Sequence, residues 1–367
     1  IHTHSSDWFR HGHHSDKTYD SVILHVVSEA DTEITRSNGE QIPQLLLTCP
    51  ENVQLHYHEL CVADHYPACY SILASLPKLT IHSWLTALQT ERLEQKAQLI
   101  TQRLKHCNSN WEDAFFITLA RNFGFGLNGD AFETWAGLLP FRAMDKHRND
   151  LFQIEAFFYG LAGLLKETFL KKEQEDEYSL RLCKEFRYLQ RKFEIGQGMD
   201  ATLWRFLRLR PENFPHIRLA QLAYLYQKGD KLFSRLLEAE TLADVRTLLD
   251  ARTSPYWENH YLFVRLSSQK EKVMGERSKD LIIINTVVPF LYTYGLHKAD
   301  ERMCERAGRF LEELKAESNH IIRSWSDAGL PVVSAADSQA LIQLQKEYCD
   351  KRKCLYCRFG YEYLKHT

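Results

Sequence analysis

The sequence predicts an α+β protein that is mostly α-helical, with a small mixed sheet at the amino terminus packed on a large helical domain. An apolar, β-branched run at Val22–Val27 indicates a strand, whereas apolar residues recur at helical spacing from about Leu73 onward. Strand patterns are scarce after Thr48. A chain of 367 residues is long enough for two domains. We place a sheet subdomain with a His-rich start at 1–80, and a helical domain with a Cys-rich tail at 81–367.

The first strand is predicted at Val22–Val27, because a continuous apolar run is typical of a strand that is buried on both faces. The following segment, Ser37–Glu40, contains an Asn-Gly pair, and both residue types tolerate the positive φ of a hairpin turn. We therefore expect Thr32–Arg36 and Gln41–Thr48 to form the two arms of a hairpin.

The helical part begins with a long amphipathic pattern. Its apolar residues recur at steps of three to five positions, which places them on one face of a helix. A later stretch, 152–165, is apolar nearly all round, and Gly160 and Gly163 inside it favour the close approach of a second helix. The residues of the first apolar stripe are Trp84, Leu88, Leu93, Ala97, Ile100 and Leu104.

Composition restricts the classes of function. The formal net charge is −2, so a nucleic-acid-binding protein of this kind needs a local basic face. Nine cysteines, an odd number, argue against a secreted disulfide framework and favour a reducing compartment, so we expect a cytoplasmic protein. The most apolar stretch, Leu281–Leu296, is shorter than the roughly 20 residues that span a bilayer, so we expect a buried helix and no membrane partner.

Histidines and carboxylates crowd the start of the chain, immediately before the predicted strand. His2, Asp7, His11 and His13 are the candidate catalytic residues. Imidazole and carboxylate groups bind divalent metals, and we expect Mg²⁺ or Mn²⁺ here. Such an ion polarises a phosphate and activates water, while a histidine accepts the proton. The alternative is a polar loop whose His and Asp side chains hydrogen-bond to each other.

Four arginines form the candidate phosphate-binding group. Arg205, Arg208, Arg210 and Arg218 surround a Pro-rich turn, and the spacing of Arg205 and Arg208 predicts that they share one helix face. Guanidinium groups bind phosphates in a fork geometry. The alternative is that the same arginines brace the turn between two helices.

Three cysteines lie close together near the end of the chain. Cys349, Cys354 and Cys357 provide thiols that suit Zn²⁺ or an iron–sulfur cluster, with Cys304 or a histidine as the fourth ligand. The alternative is that these cysteines are reduced and pack at the end of a terminal helix.

Several blocks of the sequence together resemble a bacterial family known as domain-of-unknown-function family 2851. The resemblance spans essentially the whole chain, and the Arg-Leu-Arg-Pro and Asn-Phe-Pro block is its most specific part. The blocks are Ile1–Val27 with its Ser-Ser-Asp-Trp and Tyr-Asp motifs, Trp204–Pro211, Asn213–Pro215, Arg218–Ala223, Tyr256–Tyr261 and the three cysteines of the tail.

The start of the chain also resembles the PD-(D/E)XK nuclease core. Ile1-His2 matches the end of the strand that carries Glu-x-Lys in that core, with His2 at the position of the Lys. Family members carry a Gly-Pro-Asp segment and the first part of this strand further upstream. The resemblance thus implies a restriction-endonuclease-like sheet that is truncated at Ile1 and lacks the metal-binding Asp and Glu.

These features imply a divalent-metal-dependent, nuclease-like enzyme that acts on the phosphodiesters of DNA or RNA. One alternative is a non-catalytic binding or scaffold protein that retains the nuclease-like sheet. Another is a protein that binds metal through its Cys-rich tail. The sequence gives no indication of oligomeric state.

Overall fold

The computed structural model describes residues 1–165 and 176–365. The chain forms two compact units. The first comprises Ile1–Ile81, Arg323–Pro331 and Leu344–Thr367, and the second comprises His82–Ile322 and Val332–Gln343. The Cys-rich tail therefore belongs with the amino-terminal sheet, whereas the sequence analysis places it at the end of the helical domain.

Helices dominate the described residues, which confirms the predicted α+β, mostly α class. Among those residues, no helix has the length and hydropathy required to cross a membrane. The α-helices are Asp7–Arg10, Glu51–Val62, Tyr70–Leu73, Lys78–His106, Trp111–Phe123, Gly129–Gly137, Phe141–Asp145, Leu151–Leu161, Glu177–Lys192, Pro215–Lys228, Leu232–Glu238, Leu242–Leu248, Glu276–Ile282, Val288–Lys298, Glu301–Glu313, His320–Asp327, Ala335–Gln343 and Arg358–Lys365.

Short 3-10 and π segments connect several of these helices. The π segments are Ile283–Val287 and Leu344–Cys349. The 3-10 turns are His13–Ser15, Lys17–Tyr19, Ala201–Leu203, Pro211–Asn213, Pro255–Glu258 and Cys354–Tyr356.

The first unit contains a three-stranded parallel sheet. Strands β1 (His2–His4), β2 (His25–Glu29) and β3 (Gln44–Leu46) lie in the order β1-β2-β3. The register pairs the backbone of His2 with that of Val27, so the His-rich start of the chain is fixed against β2. In the second unit, strands β4 (His260–Leu262) and β5 (Arg265–Leu266) form an antiparallel pair.

The predicted strand Val22–Val27 is displaced along the chain and is not buried on both faces. Pairing begins at His25, whose backbone N–H donates to the carbonyl of Pro43 at 2.9 Å. Ile23 precedes the strand and is 82% exposed. An apolar run alone does not show at which residue pairing with a neighbouring strand begins. Here β1 has only three residues, which limits the number of residues that β2 can pair with it.

The Asn-Gly hairpin turn is confirmed in a short form. Gly39 has φ of 81°, and the Arg36 N–H donates to the carbonyl of Glu40 at 2.9 Å. Ile34 and Ile42, on the two arms, pack with Trp8 into a small buried cluster. This cluster lies directly beneath the His-rich segment, because Trp8 belongs to both.

In the second unit, the amphipathic stripe of Lys78–His106 is confirmed, since all six of its predicted apolar residues are buried. The expected close approach is confirmed at Gly160, whereas Gly163 lies beyond the end of helix Leu151–Leu161 and has φ of 73°. A Cβ at Gly160 would lie 2.3 Å from the ring of Phe186, so only glycine allows helix Glu177–Lys192 to pack at this distance.

Candidate metal centre

Three histidines of the amino-terminal segment converge. His2 lies on β1, His11 follows the helix Asp7–Arg10, and His13 opens the next 3-10 turn. The chain reverses between them at Gly12, whose φ of 73° suits glycine. One ligand nitrogen from each of the three rings lies within 4.8 Å of the others. Three of the four predicted catalytic residues therefore come together.

The spacing of two of these nitrogens suits a single ion. His2 Nε2 and His11 Nδ1 are 3.3 Å apart. Two nitrogens bound to one tetrahedral zinc ion at about 2.0–2.1 Å would be about 3.3 Å apart as well. The ring of His13 stacks against that of His2, with centroids 5.3 Å apart and an interplanar angle of 17°.

His25 supports the group from below. It is 2% exposed, and its Nε2 lies 2.8 Å from His2 Nδ1. This contact fixes the ring of His2 so that Nε2 faces His11, as a hydrogen-bonded partner does for a metal-ligating histidine. The Nδ1 atom of His25 has no hydrogen-bond partner among the residues that the structure describes.

Burial favours the neutral form of His2 and His25. Burial is the main cause of the lowered pKa of His2. Burial, together with His2, also lowers the pKa of His25. A neutral ring retains a lone pair on one nitrogen, and metal ligation requires that lone pair.

Two aromatic side chains hold His13 in place. The ring of Tyr19 lies 3.9 Å from that of His13, centroid to centroid, and the ring of Trp8 lies at 5.2 Å. Trp8 is itself anchored, because its indole N–H donates to the carbonyl of Thr35 at 3.0 Å. The site therefore rests on the rigid cluster beneath it rather than on a loop alone.

The fourth predicted catalytic residue, Asp7, has a different role. One of its carboxylate oxygens accepts the backbone N–H of His4 at 3.3 Å, and the other pairs with Arg10 at 2.5 Å. The hydrogen bond from His4 is the main cause of the lowered pKa of Asp7. Its carboxylate braces the turn after β1 and is not one of the three groups within 4.8 Å.

Arg205 and Arg208 do not share a helix face, so that prediction is wrong. Residues 204–206 have no helical structure, and Arg208 has φ of 64°. The side chain of Asn128 makes two hydrogen bonds to the backbone of Arg205. It accepts the Arg205 N–H at 2.8 Å and donates to the Arg205 carbonyl at 2.9 Å. These bonds replace the ones that a helix would make. The side chains of Arg205, Arg208 and Arg210 are exposed.

Arg218 is buried and braces the Pro-rich turn. Its guanidinium donates to Asn213 at 2.5 Å and to Gln221 at 2.8 Å, and lies 4.4 Å from the ring centre of Phe125. Burial lowers the pKa of Arg218 to about 10. It also lines a cavity of about 230 Å³ together with Lys272. The bracing alternative therefore describes Arg218, whereas the other three arginines face solvent.

The three predicted cysteines also come together, in the first unit. Cys349, Cys354 and Cys357 line one cavity, and the fourth cysteine on its wall is Cys69. Cys304 belongs to the second unit, where its thiol donates to the carbonyl of Tyr292 at 3.7 Å.

Sequence reasoning did not identify His25 and Cys69 as parts of these sites. His25 lies within an apolar stretch, which favoured a buried histidine whose hydrogen bonds are all made. Cys69 has no local motif, and nothing near it in the sequence points to a tail some 280 residues away.

Comparison with known proteins gives one match. A family model described as a protein of unknown function, DUF2851, matches residues 1–320. No curated protein and no solved structure matches the chain significantly. The matched region includes the three histidines and the four arginines but ends before the Cys-rich tail. The resemblance predicted from the sequence blocks is thereby confirmed, and the chain belongs to the DUF2851 family.

Proposed function

We propose that this protein is a divalent-metal-dependent, nuclease-like phosphodiesterase whose ion is held by His2, His11 and His13. The observation that carries the proposal is the convergence of three ligand nitrogens within 4.8 Å. Three protein ligands leave a coordination position for water, which is the arrangement of hydrolytic rather than structural zinc sites. When bound, such an ion supplies a water of lowered pKa and polarises a phosphoryl oxygen.

The donor set bears on the choice of metal. Imidazole nitrogen suits Zn²⁺, Fe²⁺ and Ni²⁺, whereas Mg²⁺ prefers oxygen ligands in octahedral geometry. Asp7, the nearby carboxylate, is already engaged with His4 and Arg10. Three imidazoles therefore do not fit Mg²⁺. Of the two ions expected from the sequence, Mn²⁺ is the better candidate, and Zn²⁺ suits these ligands better still.

The surrounding residues have supporting roles. His25 keeps the ring of His2 in position and holds it in one tautomer. Trp8 and Tyr19 restrict His13. A site built on a packed cluster keeps its ligands in place before the ion arrives, so little ordering is needed on binding.

Nucleic acid is the proposed substrate class, and it needs positive charge that the whole chain does not provide. Arg205, Arg208 and Arg210 expose three guanidinium groups within six residues. Exposed arginines contact phosphate oxygens without reading sequence. We assign these three to phosphate contacts and exclude Arg218, which is buried and donates to Gln221 and Asn213.

Cleavage assays with purified full-length protein test this function. Single- and double-stranded DNA and RNA oligonucleotides are incubated with Zn²⁺, Mn²⁺ or Mg²⁺, and products are resolved on gels. We expect cleavage with Zn²⁺ or Mn²⁺ that disappears in His11→Ala. His14→Ala is the matched control, because His14 lies in the same segment and contacts Phe9 rather than the three-histidine group. Equal cleavage by both variants would exclude the three-histidine group as the source of the activity, and metal binding without any cleavage would favour the non-catalytic binding protein.

A further inference from the structure

A second group of residues that can bind metal lies in the first unit, and it consists of cysteines and not of histidines. Cys69, Cys349, Cys354 and Cys357 line one cavity of about 30 Å³. One water-sized sphere needs roughly 10–15 Å³, so the space exceeds that of a single water. Four thiols from two distant parts of the chain therefore surround one enclosed volume.

The local backbone brings the three tail cysteines to this cavity. The π segment Leu344–Cys349 ends at the first cysteine, and the 3-10 turn Cys354–Tyr356 begins at the second. Helix Arg358–Lys365 follows the third and packs closely against the turn. A Cβ at Gly360 would lie 2.2 Å from the carbonyl oxygen of Cys354, so only glycine permits this packing.

The opposite wall comes from residues 60–69. Tyr66 donates its hydroxyl to the carbonyl of Cys349 at 2.5 Å, which ties the two segments together at the rim. Cys69 follows three residues later and is 7% exposed. Leu60 contributes apolar surface to this wall, and Trp325 lines another part of the cavity.

The thiols are close enough to influence one another. Burial, with contributions from Cys357 and Cys354, raises the pKa of Cys69 to about 12. The pKa of Cys349 is raised as well, mainly by burial and further by Cys357, Cys69 and Cys354. Thiolate sulfurs are the ligands that zinc and iron–sulfur centres take.

An unsatisfied donor belongs to a residue that lines the same cavity. The indole N–H of Trp325, a residue 1% exposed, has no hydrogen-bond acceptor within the described parts of the chain. Buried donors rarely stay unpaired. A thiolate or an inorganic sulfide in the cavity would be an acceptor for it, and such hydrogen bonds tune iron–sulfur centres.

We propose that Cys69, Cys349, Cys354 and Cys357 hold an iron–sulfur cluster. Spacing argues for a cluster over zinc. Among the described residues, no three cysteine sulfurs lie within 4.8 Å of one another. Four sulfurs on one zinc ion are about 3.8 Å apart, given a Zn–S distance of about 2.3 Å. A cluster distributes its thiolates over several iron atoms, so it accommodates wider spacing.

Binding releases one proton from each of the four thiols and changes no oxidation state of the protein. The cluster would link residue 69 to the segment 349–357, two parts of the first unit that are distant in sequence. The proposal does not depend on the nuclease-like function, because no histidine of the three-histidine group lines this cavity.

Anaerobically purified full-length protein tests the proposal. We expect equal amounts of iron and acid-labile sulfide, at about two to four of each per chain, and visible absorbance that bleaches with dithionite. Cys69→Ser and Cys354→Ser should each lose most of the iron and the absorbance. Cys61→Ser and Cys304→Ser should retain both. Cys61 is the stricter control, since it neighbours Cys354 without lining the cavity.

The results can overturn the proposal in three ways. Zinc without sulfide would assign a mononuclear site, and absence of metal even after reconstitution with iron and sulfide would leave only packed thiols. Iron retained in Cys69→Ser would exclude Cys69 as a ligand. Circular dichroism of each variant separates ligand loss from misfolding. If Cys69→Ser fails to fold, the iron and sulfide content of the wild type and of Cys354→Ser decides.

Discussion

A buried carboxyl group in the second unit makes the stability of this protein depend on pH. Glu155 is 0% exposed and lies within helix Leu151–Leu161. The hydroxyl of Tyr178 donates to one of its oxygens, and that of Ser254 donates to the other at 2.9 Å. Burial raises the pKa of Glu155 from 4.5 to about 7, although both hydrogen bonds oppose the shift.

The sign and size of the effect follow from this pKa. Between about pH 4.5 and about pH 7 the folded protein keeps the proton that the unfolded chain has lost. Stability therefore falls as pH rises through this window, at about 1.4 kcal/mol per pH unit. The total is about 3 kcal/mol. Glu155→Gln keeps the shape and the hydrogen-bonding capacity but cannot ionise, so it removes this dependence.

Urea denaturation of the wild type and Glu155→Gln, followed by circular dichroism from about pH 4 to about pH 8, measures the difference. We expect similar stability at the acid end and a variant that is more stable by about 3 kcal/mol at the alkaline end. Glu185→Gln, a partly exposed carboxylate bonded to Gln153, controls for the charge change. A wild-type–variant difference that stays constant across the series would refute the reasoning.

Four further predictions concern other parts of the fold. His25→Ala should weaken zinc binding by about 10–100-fold in calorimetry, because His2 loses its support. Gly360→Ala should lower thermal stability by about 1–3 kcal/mol, whereas Gly308→Ala, with open space around it, should not. Arg218→Ala should cost about 2–4 kcal/mol in denaturation, since its amide partners lose their donor. Arg208→Ala should leave stability unchanged and reduce the affinity for DNA in a salt-dependent manner, as measured by fluorescence anisotropy.

The fold class and the convergence of His2, His11 and His13 were predictable because the information is local. An apolar stripe on one helix face requires only a regular spacing, and the three histidines are within twelve residues of one another. A short segment with a Gly12 reversal has few ways to keep such side chains apart. This part of the site could therefore be predicted from residues that are close together in the sequence.

The remaining features depend on contacts between distant segments. Arg205 and Arg208 have helical spacing, yet neither is in a helix. The Asn128 side chain makes the backbone hydrogen bonds of Arg205, and Arg208 has a positive φ. The burial of Arg218 depends on Phe125, more than 90 residues earlier. Cys69 lies beside the three tail cysteines only because residues 344–365 fold into the same unit as residues 1–81. None of these contacts leaves a periodic trace in the sequence.

The proposed function requires that three imidazoles bind one divalent ion. X-ray absorption of full-length protein loaded with one equivalent of zinc tests it most directly. The geometry predicts a shell of nitrogen and oxygen atoms at about 2.0–2.1 Å, with the scattering signature of imidazole, and its loss in His11→Ala. A shell of sulfur at about 2.3 Å, or a spectrum that His11→Ala leaves unchanged, would contradict the claim.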